Sequence, residues 1–122
     1  MKRGSLTLRV VGALVALNAA ALGVAAPSPA DETAFLVNVT VRPGYNFPDS
    51  QAALGYGYGL CDRLGAGQGY AQLIGVVKTD FKTTDEYQAS YLISQSAQEL
   101  CPAVIWQLRQ SAAGYRPAPQ GN

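Results

Sequence analysis

Cys61 and Cys101 are the only cysteines in the chain, and they follow an N-terminus built for export, so this pair constrains the fold more than any other feature. Exported thiols meet an oxidising compartment, where an intramolecular disulfide is the expected state. Such a bridge closes a loop of about 40 residues, and chain entropy makes that worth roughly 4 kcal/mol, a large share of what a small domain has to spare. A redox or metal pair is the poorer reading, because no C-x-x-C spacing is present and no histidine exists to complete a ligand set.

The export reading rests on residues 1–26. Lys2 and Arg3 form a positive start, Val10 to Ala21 is apolar apart from Gly12 and Asn18, and Gly23-Val24-Ala25-Ala26 supplies the small residues at which a signal peptidase cuts. Cleavage after Ala25, Ala26 or Ala30 fits the pattern. An uncleaved anchor, the alternative, needs about 20 spanning apolar residues, more than this run supplies. No cysteine lies near the cut, so the lipoprotein route of acylating a new N-terminal Cys is closed. The expected location is therefore secreted or cell envelope, with no transmembrane domain after cleavage. Asn38-Val39-Thr40 fits the N-glycosylation pattern, which matters only in a eukaryotic secretory pathway.

With 122 residues, 48% of them hydrophobic and 14% charged, the chain has room for one compact domain and is not a disordered charged tail. Its net charge of +1 is unevenly placed, because Lys2, Arg3 and Arg9 all precede the cut and leave a mature chain that is mildly acidic. That balance argues against a nucleic-acid partner, which demands clustered Lys and Arg. The lack of histidine removes the commonest general base, the Ser/His and Cys/His nucleophile pairs and the His-containing zinc sites. No catalytic residue, metal or cofactor is expected.

Residues 27–30 read as a flexible linker, 31–112 as a helical domain and 113–122, rich in Ala, Pro, Gly and Gln, as a disordered tail. Asp31 suits the N-cap of a first helix over Glu32 to about Val41, although Val37, Val39, Thr40 and Val41 would also suit a strand. Pro43-Gly44 ends it, and Asp49 or Ser50 caps a second helix to about Leu64, with Leu54, Tyr58, Cys61 and Leu64 on its inner face. Gly55, Gly57 and Gly59 inside that helix signal either close approach by a neighbour or a weak helix rescued by packing. Gly65-Ala66-Gly67 is its stop. A third helix is expected over Gly69 to Lys78, a loop over Thr79 to Lys82, and a fourth helix opening on the T-x-x-E capping box Thr83-Thr84-Asp85-Glu86. Ala89, Ile93, Ala97, Leu100 and Cys101, with Leu92 and Ser96 alongside, form its core stripe. Pro102 ends or kinks it and opens a short fifth helix carrying Val104, Ile105, Trp106 and Leu108. The expected fold is all-α, a small bundle of four to five helices stapled by one disulfide.

Phe35-Leu36 on an acidic-led helix, then Gly57-x-x-x-Cys61-x-x-Leu64-x-x-Gly67, then Cys101-Pro102 make up a pattern that resembles one family: the small exported actinobacterial, chiefly mycobacterial, proteins known as domain of unknown function 732. The resemblance covers residues 31 to about 108. It implies a small helical fold, bridged cysteines and an envelope or extracellular location, and it implies no activity. The Val41-Arg42-Pro43-Gly44 turn and the extra glycines and tyrosines of the second helix depart from the usual pattern.

Tyr45, Phe47, Tyr56, Tyr58 and Tyr70 crowd into the first half of the domain, and Tyr87 and Tyr91 lie one helical turn apart. An exposed tyrosine patch over glycines would bind a partner protein, a peptide or an envelope glycolipid, whereas ordinary core and rim tyrosine is the bland reading. Asp62 and Glu99 each lie within two positions of a cysteine, so the bridge draws their backbones together and could pair them as acid and base; solvated surface charge is the better reading of both. Thr79, Asp80, Thr83, Thr84 and Asp85 lack the spacing of a calcium loop, and capping accounts for them. The function expected is a monomeric, non-enzymatic binding module of the envelope or extracellular space. The alternative is a small lipid carrier or hydrolase with an apolar cavity and Asp62 and Glu99 at its mouth.

Overall fold

The first helix opens on a reciprocal cap. Ser28 Oγ accepts from the Asp31 amide at 3.2 Å while the Ser28 amide donates to Asp31 Oδ2 at 3.2 Å, and Pro29 takes the first helical position, where a missing N–H costs nothing. Helix α1 therefore spans Pro29–Thr40, and Asp31, expected as its cap, is instead the third residue inside. Ser28 and Pro29, expected as linker, start the helix. The computed structural model describes residues 28–117; the expected signal peptide, residues 1–26, and positions 118–122 of the expected tail lie outside the described residues. The β-branched run stays helical because Phe35 and Val39, one turn apart, are both buried in the core.

Asp49 caps α2, Ser50–Gly65, by accepting from the Ala52 amide at 2.8 Å. Its buried stripe is Ala53, Gly57, Leu60, Cys61 and Leu64, one position away from the Leu54 and Tyr58 register expected, and those two side chains are half-buried. Packing selects the change: a Cβ on Gly57 would lie 2.6 Å from Leu100 Cδ1 and 2.8 Å from Phe35 Cζ, so the bare backbone lets α1 and the end of the fourth helix close onto α2. Gly67, at φ +97°, turns the chain out of the helix.

Helix α3, Tyr70–Phe81, starts with the Gly69 amide donating to Gln72 Oε1 at 3.0 Å and buries Leu73, Ile74 and Val77. It runs three residues past the expected end, so Thr79 and Asp80 are helical and not a loop, and Lys82 at φ +52° closes it. Helix α4, Glu86–Gln95, is capped by Asp85, whose Oδ1 accepts from the Tyr87 and Gln88 amides at 2.9 and 3.2 Å. The expected Thr83/Glu86 capping box does not form. A carboxylate is the stronger acceptor for the positive end of a helix, so Asp85 displaces the hydroxyl; Thr83 Oγ1 accepts from the Asp85 amide, and Glu86 pairs with Lys78.

Beyond Gln95 the helix widens into a π-helical turn, Ser96–Leu100, in which Ser96 is fully buried and its hydroxyl donates to the Leu92 carbonyl at 2.8 Å. Both sulfurs of the Cys61–Cys101 disulfide lie 3.7 Å from the Ser96 carbonyl oxygen, and the two Cα atoms are 6.0 Å apart. Pro102 then begins a short 3-10 turn, Pro102–Val104, that leads into α5, Ile105–Ala112. Leu108 is the buried residue of α5, and Trp106 is 66% exposed. The Gln107 side chain of α5 donates through Nε2 to the Leu64 carbonyl, and the Tyr70 backbone amide donates to Ser111 Oγ at 3.0 Å, fastening α5 across α2 and α3.

The chain does not leave the domain at Ala113. Gly114, at φ +78°, returns Tyr115 against Tyr70, with ring centroids 4.9 Å apart, and the Tyr115 hydroxyl donates to Glu86 Oε2 at 3.0 Å. The described part of the expected tail is thus docked by one aromatic side chain. The result is an all-α fold of five helices with one disulfide, and no strand occurs among the described residues.

Candidate functional site

The aromatics weighed as one candidate exposed patch are distributed over three places. Tyr45, Phe47 and Tyr56 do meet, around Phe81 at the end of α3, with centroid separations from Phe81 of 5.5, 5.7 and 5.1 Å in edge-on contacts. Tyr45 is buried and its hydroxyl donates to the Gln88 carbonyl at 2.6 Å, so it anchors the α1–α2 loop and offers nothing to solvent. Tyr58 lies elsewhere, donating to Glu32 Oε2 at 2.8 Å, and Tyr70 donates to Ser90 Oγ at 2.8 Å beneath Tyr115. Phe81, which completes the cluster, escaped the sequence reading because α3 was expected to end before it.

Burial and neighbouring carboxylates push these phenols up. Desolvation raises Tyr45 to about 12, and desolvation followed by its bond to Glu32 raises Tyr58 to about 12. Desolvation and Asp80 raise Tyr56, and desolvation and Glu86 raise Tyr115. All four are neutral hydroxyl donors near pH 7, and none is a phenolate poised to act as a base or nucleophile.

Tyr56 stands at the head of a groove between α2 and α3. Its hydroxyl donates to Asp80 Oδ2 at 2.8 Å, spanning the two helices. Below it a hollow of about 190 Å³ is lined by Gly55, Gly59, Leu60, Arg63 and Val76, and it shares Arg63, Val76 and Asp80 with a shallow trough of about 510 Å³ that extends along Gln72, Gly75 and Thr79. Arg63 donates to Gln68 Oε1 at 3.3 Å and forms no ion pair with Asp80. A Cβ built on Gly55, Gly59 or Gly75 would meet nothing within 4 Å. The two explanations of the α2 glycines therefore divide by position: Gly57 admits neighbouring side chains of the same chain, while Gly55 and Gly59 leave backbone bare toward the groove.

The acids flanking the bridge lie away from this site. Asp62 is exposed and Glu99 half-buried, and neither lines the groove, so the cavity of the alternative reading, with both at its mouth, is not formed there. No cluster of three or more metal-ligating side chains occurs among the described residues. No helix among them is long and apolar enough to cross a membrane.

A small helical domain, held by one bridge and carrying an open groove with one neutral tyrosine, Tyr56, at its head, is the class of protein that these features define. The chain belongs to the family described as protein of unknown function, DUF732, whose model it matches over residues 30–103. No curated protein and no solved structure matches it.

Proposed function

We propose that this protein is an exported, non-enzymatic binding module, and that it receives an α-helical segment of a partner protein in the groove between α2 and α3. The observation that supports this reading most is the trough itself, open along two helices and flanked by Asp80 and by Arg63, which makes no ion pair among the described residues. A helix laid in such a trough approaches the bare backbone at Gly55, Gly59 and Gly75 closely, and meets an aliphatic wall of Leu60 and Val76 and a charge of each sign. Each of those glycines costs its helix about 0.5–1 kcal/mol relative to alanine, and no packing neighbour among the described residues requires that cost. Export rests on the basic, apolar and small-residue succession of residues 1–26.

Photo-crosslinking in the producing cells tests the proposal. A benzophenone amino acid at position 59 or 75 is expected to trap one protein, while the same group at Gln110, exposed on α5, does not. The trapped protein, purified, is expected to bind the wild-type domain and to lose that binding when Gly59→Leu fills the groove in a domain of unchanged circular dichroism. Equal trapping from all three positions, or full binding by the Gly59→Leu variant, overturns the assignment. The intact mass of the protein recovered from the medium tests export, with a first residue between 26 and 31 and a mass two hydrogens below that of the reduced chain expected.

A further inference from the structure

A second pocket lies on the other side of Phe47, beneath the α1–α2 loop. It encloses about 140 Å³ and is lined by Val39, Thr40, Arg42, Asn46 and Phe47. At about 30 Å³ per water, that volume is the room of four or five water molecules, enough for a small organic group and too little for a long acyl chain. Val39 and Phe47 give it apolar walls, and no acidic residue lines it.

Arg42 is held at this pocket in an unusual way. Its guanidinium carbon sits 3.8 Å from the Tyr91 ring centroid and 4.9 Å from that of Tyr87, and its Nη2 donates to the Tyr87 hydroxyl at 3.1 Å. It makes no ion pair among the described residues. Stacking on two rings restricts the side-chain rotamers, so the cost of ordering an arginine on binding is met within the fold. Tyr87 takes one of the five Arg42 N–H donors and Tyr91 is a second side-chain partner, which leaves further donors for an oxyanion. The support beneath is rigid: Gly44 at φ +109° and Asn46 at φ +54° shape the loop, and buried Tyr45 pins it to Gln88.

We infer that this pocket binds a carboxylate carried on a short apolar group, with the carboxylate on the Arg42 fork and the apolar part against Val39 and Phe47. One arginine in a lining that holds no other charge matches a planar group of single negative charge; a doubly charged phosphate would require further donors. A free aromatic or aliphatic acid and the C-terminal residue of a peptide both carry this chemistry. The inference is independent of the α2–α3 groove, which shares none of these five residues.

Titration of the mature, disulfide-bonded protein, followed by amide NMR shifts, decides it with defined probes: benzoate, benzamide, and a short acetylated peptide ending in Phe with a free or an amidated C-terminus. Benzoate is expected to shift the amides of Thr40, Arg42, Asn46 and Phe47 and to bind at least about tenfold more tightly than benzamide, the cost of losing a charge-assisted contact. Arg42→Gln should lose at least about tenfold in benzoate affinity, and Arg42→Lys, which keeps the charge without the fork, should fall between. The free-acid peptide binding above its amide identifies a chain terminus as the source, and benzoate binding without the peptide identifies a small acid. Equal binding of benzoate and benzamide, undiminished binding by Arg42→Gln, or no shifts at millimolar benzoate overturns the inference.

Discussion

Three glycine-to-alanine substitutions separate the two kinds of glycine in α2 and α3. At Gly55, Gly59 and Gly75 an added Cβ meets nothing within 4 Å, so only the backbone term changes, and each substitution is expected to stabilise by about 0.5–1 kcal/mol. The triple variant should gain about 2 kcal/mol, because the three positions share no packing partner. At Gly57 the same methyl lands 2.6 Å from Leu100 Cδ1 and 2.8 Å from Phe35 Cζ. Phe35 and Leu100 are 0% and 2% exposed and have nowhere to move, so overpacking of about 1–3 kcal/mol outweighs the helical gain and leaves a net loss of about 1–2 kcal/mol. Urea unfolding with the disulfide intact measures both. The midpoint should rise for the triple variant and fall for Gly57→Ala at unchanged slope, and the melting temperature should move by about 4–8 °C per kcal/mol. Destabilisation by Gly59→Ala, or a neutral Gly57→Ala, would refute the assignment of one glycine face to the core and the other to the groove.

Replacing both cysteines by alanine should cost roughly 4 kcal/mol at equilibrium, and a loss below about 1 kcal/mol would show that the loop of about 40 residues is already ordered in the unfolded chain. Ser28→Ala should cost about 1 kcal/mol by removing the acceptor for the Asp31 amide; an unchanged urea midpoint would mean that α1 frays without consequence. Tyr45 and Tyr58, at about 12 in the fold and about 10 when unfolded, ionise first in the unfolded chain, so their contribution is complete below pH 10 and is lost as pH rises from 10 through 12. Stability measured at pH 8 and pH 11 should fall, with the fall reduced in Tyr45→Phe, and a flat profile would contradict the burial of these hydroxyls.

What the sequence made legible was the part governed by long apolar periods and by covalent arithmetic. A bundle of four to five helices and the core of Leu73, Ile74, Val77, Ala89, Leu92 and Ile93 follow from apolar spacing, and the Cys61–Cys101 bridge follows from the presence of just two cysteines behind an export-type N-terminus. Helix ends were less legible because several residues compete for each cap. Ser28 and Asp31 both accept backbone amides, and the reciprocal S-x-x-D pair that resolves them straddles the boundary drawn for the linker. At α4 the choice between Thr83 and Asp85 turns on which oxygen faces the helix, which no spacing specifies. The π-helical turn leaves no composition signal, since it arises where Ser96 donates back to Leu92 and the bridge sets the position of Cys101. The tyrosines could not be placed for a related reason. Aromatic density reveals that rings exist, while tertiary contacts decide that Tyr45 faces inward and that Tyr58 and Tyr70 belong to separate neighbourhoods.

The bridge and the groove belong to one energetic argument. Helix α2 holds four glycines in 16 residues, and such a sequence would be a poor helix in isolation. Gly57 repays its cost through the contacts it admits with Phe35 and Leu100. Gly55 and Gly59, together with Gly75 on α3, admit no packing neighbour among the described residues and together cost about 2 kcal/mol. A disulfide worth roughly 4 kcal/mol, joined to this same helix at Cys61, more than offsets that loss. The staple therefore allows α2 to keep a bare face that a domain of this size without a bridge could ill sustain. Reducing the protein should then unfold the wild type more readily than the triple alanine variant, whose α2 and α3 no longer depend on the bridge to the same degree.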